Sequence, residues 1–340
     1  MHKGISAIVQ GLLLAAALFA APARPPKLAV FVPGVVSGSP IYEQLVAGAR
    51  RAAAELPGAS VKVVEAGFNQ AEWLGKLSAL AATGEFDLIV SSNAAIPDLC
   101  AQAAASFPDE RFFVADSWLG GNKAIHTVLY NQLEQGYLVG FMAGLASSGR
   151  LPRVGPSHKA GLIVAQHYPS FDKLIAPGFE RGLKAADPKA VLETRVLGNW
   201  YDATKAAELA NGLFEAGAAA ILPIAGGAGQ GVLSAAASKK RYALWFDDDS
   251  GYRLAPGAVI GCAVLAQERL VYERVKALLA EGSSSPLYGK ADIVGFKGGY
   301  VSFAQDGAAY QGLPASARAA MDAELARLKS GALALPIAGL

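Results

Sequence analysis

Cysteine is almost absent from this chain, which carries only Cys100 and Cys262. Two cysteines cannot build a disulfide framework. Both lie in apolar surroundings, so they are expected as small buried hydrophobes, with pairing in an exported protein left open. Histidine is nearly as scarce: His2, His126, His158 and His167 are scattered, and no Cys/His group has zinc-like spacing, so no metal site is expected. A dominant charge is also missing. Against 30 Lys and Arg stand 28 Asp and Glu, a net charge of +2, and no basic run is long enough for nucleic acid or an anionic membrane, which leaves small neutral ligands. No G-x-S-x-G elbow is present, and His167 is the one histidine in a cleft loop. An α/β hydrolase using Asp202, Asp247, Asp249 and Ser37 or Ser39 is therefore the weaker reading, and no catalytic residue is assigned.

What the chain does have is apolar material, 53% hydrophobic against 17% charged residues, which excludes disorder. Its 340 residues are enough for one or two full cores. Lys3 precedes the apolar run Ile5–Ala21, and Ala21-Pro22-Ala23 leads into Arg24-Pro25-Pro26. Residues 1–23 read as a secretory signal peptide, with an uncleaved anchor as the alternative. The protein is expected to be exported, periplasmic or membrane-associated, although no cysteine near the cleavage region offers a lipid acceptor.

The stretch Lys27–Arg51 reads as a strand, a Gly/Ser/Pro loop and a helix. Further strands are expected at Ser60–Glu65, Phe86–Ser91, Arg111–Ala115 and Thr127–Tyr130, and helices at Ala71–Thr83, Pro97–Ser106 and Leu133–Ser147. After a polar break at 148–159 the alternation resumes, from a strand at Lys159–Ala165 to one at Arg241–Phe246. The tail holds a short strand at Val259–Cys262, a helix at Ala263–Ala280, strands at Ile293–Phe296 and Tyr300–Phe303, and a last helix at Ala315–Lys329. This is an α/β chain of parallel βαβ units in two similar halves, and its ligand loops follow the strand ends. Strands in the tail imply that the chain crosses between halves more than once.

Several strings then match a known family in order. They are Phe86-Asp87-Leu88-Ile89-Val90, Phe107-Pro108-Asp109 with Phe112 and Asp116, Glu134-Gln135-Gly136-Tyr137, Gly178-Phe179-Glu180-Arg181-Gly182, Asp202-Ala203-Thr204-Lys205, Ala225-Gly226-Gly227 and Asp247-Asp248-Asp249. Together they resemble the basic membrane protein family, the PnrA-like substrate-binding proteins of ABC importers. The resemblance implies a type I periplasmic-binding-protein fold, with two doubly wound lobes, a multi-strand hinge and a ligand between the lobes. The expected division is 27–130 plus about 258–283 for the first lobe and 131–257 plus about 284–340 for the second. It also implies an ABC permease as partner, a monomer, and no catalytic cofactor.

The departures from the family pattern bear on the ligand. Nucleoside-binding members use an acid and a Phe-Asn pair in the first loop and a lysine after the returning strand. Aligned on Gly48, this chain has Ile41 and Tyr42 at the pair and no acid in Pro33–Pro40. Aligned on Tyr272, Cys262 stands at the usual serine and Leu265 at the usual lysine. Gly67-Phe68-Asn69-Gln70 follows the second strand and reads as a helix start. Buried polar groups of a nucleoside left without partners cost roughly 1–3 kcal/mol each, whereas aromatic faces suit a broad planar heterocycle. The expected ligand-binding residues are Tyr42, Asn93, Asp116, Trp118, Gln166, Tyr168, Trp200, Gly227 and Asp249, with Trp73 and Trp245 in the core. Riboflavin, which a divergent branch of the family binds, is the expected ligand, with a purine nucleoside as the alternative.

Overall fold

The computed structural model describes residues 24–338; the expected signal peptide lies outside them. In the first lobe β1 (Lys27–Val32), α1 (Pro40–Ala54), β2 (Ser60–Glu65), α2 (Trp73–Ala81), β3 (Leu88–Ser92), α3 (Ile96–Ser106), β4 (Phe112–Ala115) and β5 (Ile125–Tyr130) follow one another. α1 opens with Pro40 in its first turn, where a missing N–H costs nothing. β1, β3, β4 and β5 are buried nearly throughout because helices cover both faces of a parallel sheet.

The second lobe holds α4 (Gln132–Ser147), β6 (Lys159–Val164), α5 (Ala176–Ala186), β7 (Val191–Val196), α6 (Ala203–Glu215), β8 (Ala220–Ile224), α7 (Gly229–Ser238), β9 (Tyr242–Asp247), α8 (Gly251–Leu254) and β10 (Val259–Leu265). Then come α9 (Gln267–Glu281), β11 (Ala291–Val294), β12 (Val301–Ala304), α10 (Ala308–Gln311) and α11 (Ala315–Ser330). The first sheet has the order β11-β5-β4-β3-β1-β2 and the second β12-β10-β9-β8-β6-β7. All pairings are parallel except β10 with β12. Two doubly wound α/β lobes therefore stand as expected.

The tail is wired differently from the expected division. β10 lies beside β9 and belongs to the second lobe, because its apolar run continues through Ala263-Val264-Leu265 as strand where a helix was expected. α9 returns to the first lobe and packs on α1; a Cβ at Gly48 would stand 2.5 Å from the Glu268 carbonyl oxygen, so that packing requires glycine. β11 pairs with β5 in the first sheet and β12 with β10 in the second. The backbone thus crosses between lobes at 130–132, 265–267 and 294–301.

Two of the family-like strings prove to be packing devices. α4 is buried along almost its whole length and lies against α5. A Cβ on Gly140 or Gly182 would overlap the carbonyl oxygen of Phe179 or Tyr137, and one on Gly144 would come within 2.5 Å of that of Leu183. Glycine lets the two backbones touch. Cys100 in α3 and Cys262 in β10 are buried and free, one in each lobe. Trp73 and Trp245 are core residues, as expected.

Candidate ligand-binding cleft

The carboxyl ends of both sheets carry the unusual backbone. Asn93 (φ 130°) directly follows β3, Asp116 (φ 51°) follows β4, and Asp247 (φ 73°) ends β9. Non-glycine residues rarely hold such angles, and where they do the strain tends to sit at functional sites. In the first lobe the Asn93 Oδ1 accepts from the Ala95 N–H at 2.9 Å, while its Nδ2 donates to the Tyr42 hydroxyl at 3.4 Å. Tyr42, from the first turn of α1, in turn donates to the Pro33 carbonyl at 3.2 Å.

In the second lobe Tyr168, after β6, and Trp200, after β7, meet with ring centroids 6.0 Å apart. The glycine turn after β8 wraps this indole: a Cβ at Gly226 would sit 3.4 Å from Trp200 Cε3, and one at Gly227 3.7 Å from its carbonyl oxygen. Gly227 therefore lies beside Trp200, and Gln166 follows β6 and is half-buried.

Two carboxylates face this space. Asp116 Oδ1 is sealed from solvent and has no hydrogen-bond partner. Burial pushes the Asp116 carboxyl up to about 7, and the nearby charge of Asp247 adds to the effect. Burial raises Asp247 to about 6; a 3.1 Å hydrogen bond from Gln135 Nε2 works against the rise, and Asp248 works with it. Gln135 is itself fully buried and shares its amide with the Ala263 carbonyl at 3.2 Å. Burial also keeps the hydroxyls of Tyr42, Tyr130 and Tyr168 protonated, with Tyr42 pushed up to about 12. Both carboxylates act on Tyr130, whose buried hydroxyl has no partner. The cleft thus offers aromatic faces and neutral phenols around two acceptors.

The lobes are drawn together. Gln44 of α1 reaches the Asp247 carbonyl at 3.4 Å, and Gln267 at the second crossing donates to the Ile41 carbonyl at 2.6 Å and to Ser92 Oγ at 3.3 Å. At the mouth Phe68 of the first lobe and Tyr201 of the second lie 6.4 Å apart, centroid to centroid, although both are largely exposed.

Tyr42, Asn93, Asp116, Tyr168 and Trp200 therefore converge. Trp118 does not: it is exposed on a loop held by Leu119 N–H to Thr127 Oγ1 and joins none of these aromatic contacts. Asp249 does not either. It is exposed, and the carboxylate at the cleft is Asp247, because β9 ends there; Asp248 instead binds Trp245 Nε1 at 2.7 Å and Ser250. Phe68, expected only to open a helix, stands at the cleft mouth. Cys262 and Leu265, at the positions of the family's serine and lysine, are buried in the sheet and core. Gln135 was legible in the string Glu134-Gln135-Gly136; Tyr130 had no such signal.

The chain matches the family model described as "ABC transporter substrate-binding protein PnrA-like" over residues 26–316. It belongs to that family. The PnrA-like assignment is one of binding proteins, not of hydrolases. The CD4+ T-cell-stimulating antigen of Listeria monocytogenes serovar 1/2a is similar, 24% identical over 161 residues, which is 47% of this chain and 43% of that protein. The chain thus spans less than half the length of the curated relatives it matches. A solute-binding protein of an ABC transporter system from Aeropyrum pernix K1 shares the fold with a TM-score of 0.75 at 18% identity, over 92% of this chain and 94% of that one. A carbohydrate transporter solute-binding protein from Agrobacterium radiobacter, solved in complex with D-arabinose, has a TM-score of 0.63 at 20% identity, over 86% and 99%.

Proposed function

We propose that this PnrA-like protein is the extracytoplasmic receptor of an ABC importer, that it works as a monomer, and that it holds riboflavin between its lobes for delivery to a membrane permease. The observation that carries the reading is the pairing of aromatic faces with acceptors: Tyr42 on one lobe and Tyr168 with Trp200 on the other, around Asp116 and Asp247. A tricyclic ring fits between such faces. The ribityl chain supplies hydroxyl donors to carboxylates that have no cation beside them among the described residues. A purine nucleoside is the poorer fit, because Leu265 is buried where the family's nucleoside binders place a lysine. Among the described residues no helix is long and apolar enough to cross a membrane, in keeping with a receptor domain outside it.

Titrating riboflavin with the purified protein tests the reading. Flavin fluorescence is expected to be quenched to one equivalent, with the flavin recovered unchanged. Saturable binding of inosine or guanosine without any flavin response would overturn the ligand and leave the fold intact.

A further inference from the structure

The Asp116 and Asp247 pair poses a charge problem that closure of the cleft must solve. The two side chains come from opposite sheets, β4 and β9. Asp247 has one side-chain donor, Gln135, and Asp116 Oδ1 has none. Around them stand Tyr42 from α1, Tyr130 from β5, Tyr168 after β6 and Asp248 after β9; Asp172 acts on Tyr168, and Tyr300 acts on Tyr130. Among the described residues the one cation that reaches this neighbourhood is Arg269, which acts on Tyr130 and not on the carboxylates. Two desolvated like charges cannot both stay ionised at close quarters without a cation.

We propose that closing the cleft takes up one proton, held at Asp116 and shared in effect with Asp247, so that capture of a neutral donor-rich ligand is linked to pH. The inference rests on the proposed receptor reading, and it adds what that reading leaves open, namely how two buried carboxylates come to share a single negative charge around an uncharged ligand. A protonated Asp116 becomes a donor as well as an acceptor, and the unpartnered Tyr130 hydroxyl and the ligand's own hydroxyls are then mixed partners for it. In the open state each carboxyl meets water and titrates near the ordinary aspartate value of about 3.9. With the lobes drawn together as they stand here, burial, helped by the charge of Asp247, pushes the Asp116 carboxyl up to about 7. The closed form therefore binds more protons between these values, so lower pH favours closure, and the advantage is lost as pH rises through the closed-state value.

For one proton and a closed-state value near 7, affinity is expected to be about tenfold higher at pH 6 than at pH 8. Two measurements check this. Riboflavin titrations at both pH values should show that ratio, and Asp116→Asn should flatten it. Independently of any ligand, energy transfer between dyes placed at Glu85→Cys and Glu208→Cys, one exposed site in each lobe, should report a larger closed fraction at pH 6 than at pH 8. Equal affinity at the two pH values, tighter binding at pH 8 as a cationic ligand would give, or an unchanged slope in Asp116→Asn overturns the proposal. If riboflavin does not bind at either pH, the receptor's ligand has been misassigned, and the ligand-free closure measurement alone decides: a closed fraction independent of pH overturns the proton linkage.

Discussion

Exchanging single carboxylates for amides separates Asp247 from its neighbour Asp249. In Asp247→Asn the shape is retained: asparagine tolerates the left-handed backbone at φ 73°, and its Oδ1 can still accept from Gln135 Nε2, now 3.1 Å from the carboxylate. What is lost is the charge on an acceptor facing the ligand's hydroxyls. A hydrogen bond to a charged group contributes about 1.5–3 kcal/mol, so riboflavin affinity should fall by about tenfold to a hundredfold. The change also removes the charge that helps hold a proton on Asp116, and any pH dependence of binding should shrink with it. Asp249→Asn alters an exposed side chain that makes no side-chain hydrogen bond among the described residues and should leave affinity within about twofold. Fluorescence-quenching titrations of the two variants at one pH, with circular dichroism to confirm folding, give the comparison. A larger loss in Asp249→Asn than in Asp247→Asn would refute the placement of the ligand-binding carboxylate.

Trp200→Ala and Tyr168→Ala should each weaken flavin binding by about threefold to tenfold, from the ~0.5–1.5 kcal/mol that aromatic pairing contributes beyond burial, and Trp200→Phe should recover part of the loss in the same titration. Tyr201→Ala removes half of the contact across the mouth, so stopped-flow dissociation is expected to speed up several-fold while association changes little. Gly182→Ala forces a methyl group against the Tyr137 carbonyl; overpacking of this kind costs about 1–3 kcal/mol, and the urea midpoint should drop without a change in the stoichiometry of ligand bound to folded protein.

Much of the architecture was written in periodicity. Buried parallel strands such as Leu28–Val32 are continuous apolar runs, and Ser60–Glu65 alternates because β2 lies at a sheet edge. The lobe to which a tail strand belongs was not legible, because strand pattern alone does not name a partner and only pairing with β9 or β5 places β10 and β11. That Tyr42, Asp116, Tyr168 and Trp200 lie together followed from their position in or just beyond loops at strand ends. The Asp-rich run did not say which of Asp247, Asp248 and Asp249 turns inward, because neighbouring residues at a strand end point in different directions, so the outcome turns on the single residue at which β9 stops. Trp118 occupies the right kind of loop, but no local pattern says which way that loop leans. The glycines at 136, 178 and 182 match the family strings for a reason unrelated to ligand: together with Gly140 and Gly144 they form the seam that two helices share.

The first turn of α4 joins parts of the molecule that otherwise lie apart. Asn131 at its start donates to the Leu335 carbonyl, Glu134 accepts from the Phe296 N–H of the third crossing at 2.7 Å, and Gln135 holds Asp247. Behind this turn the helix is fixed to α5 and cannot slide. On the proposed reading, grip on the ligand and the angle of the hinge are therefore set by the same few atoms. Selection acting on this receptor cannot sharpen its affinity through Gln135 without also resetting how readily it lets go, and changes that adjust one property alone must come from the mouth, where Phe68 and Tyr201 are free of the hinge.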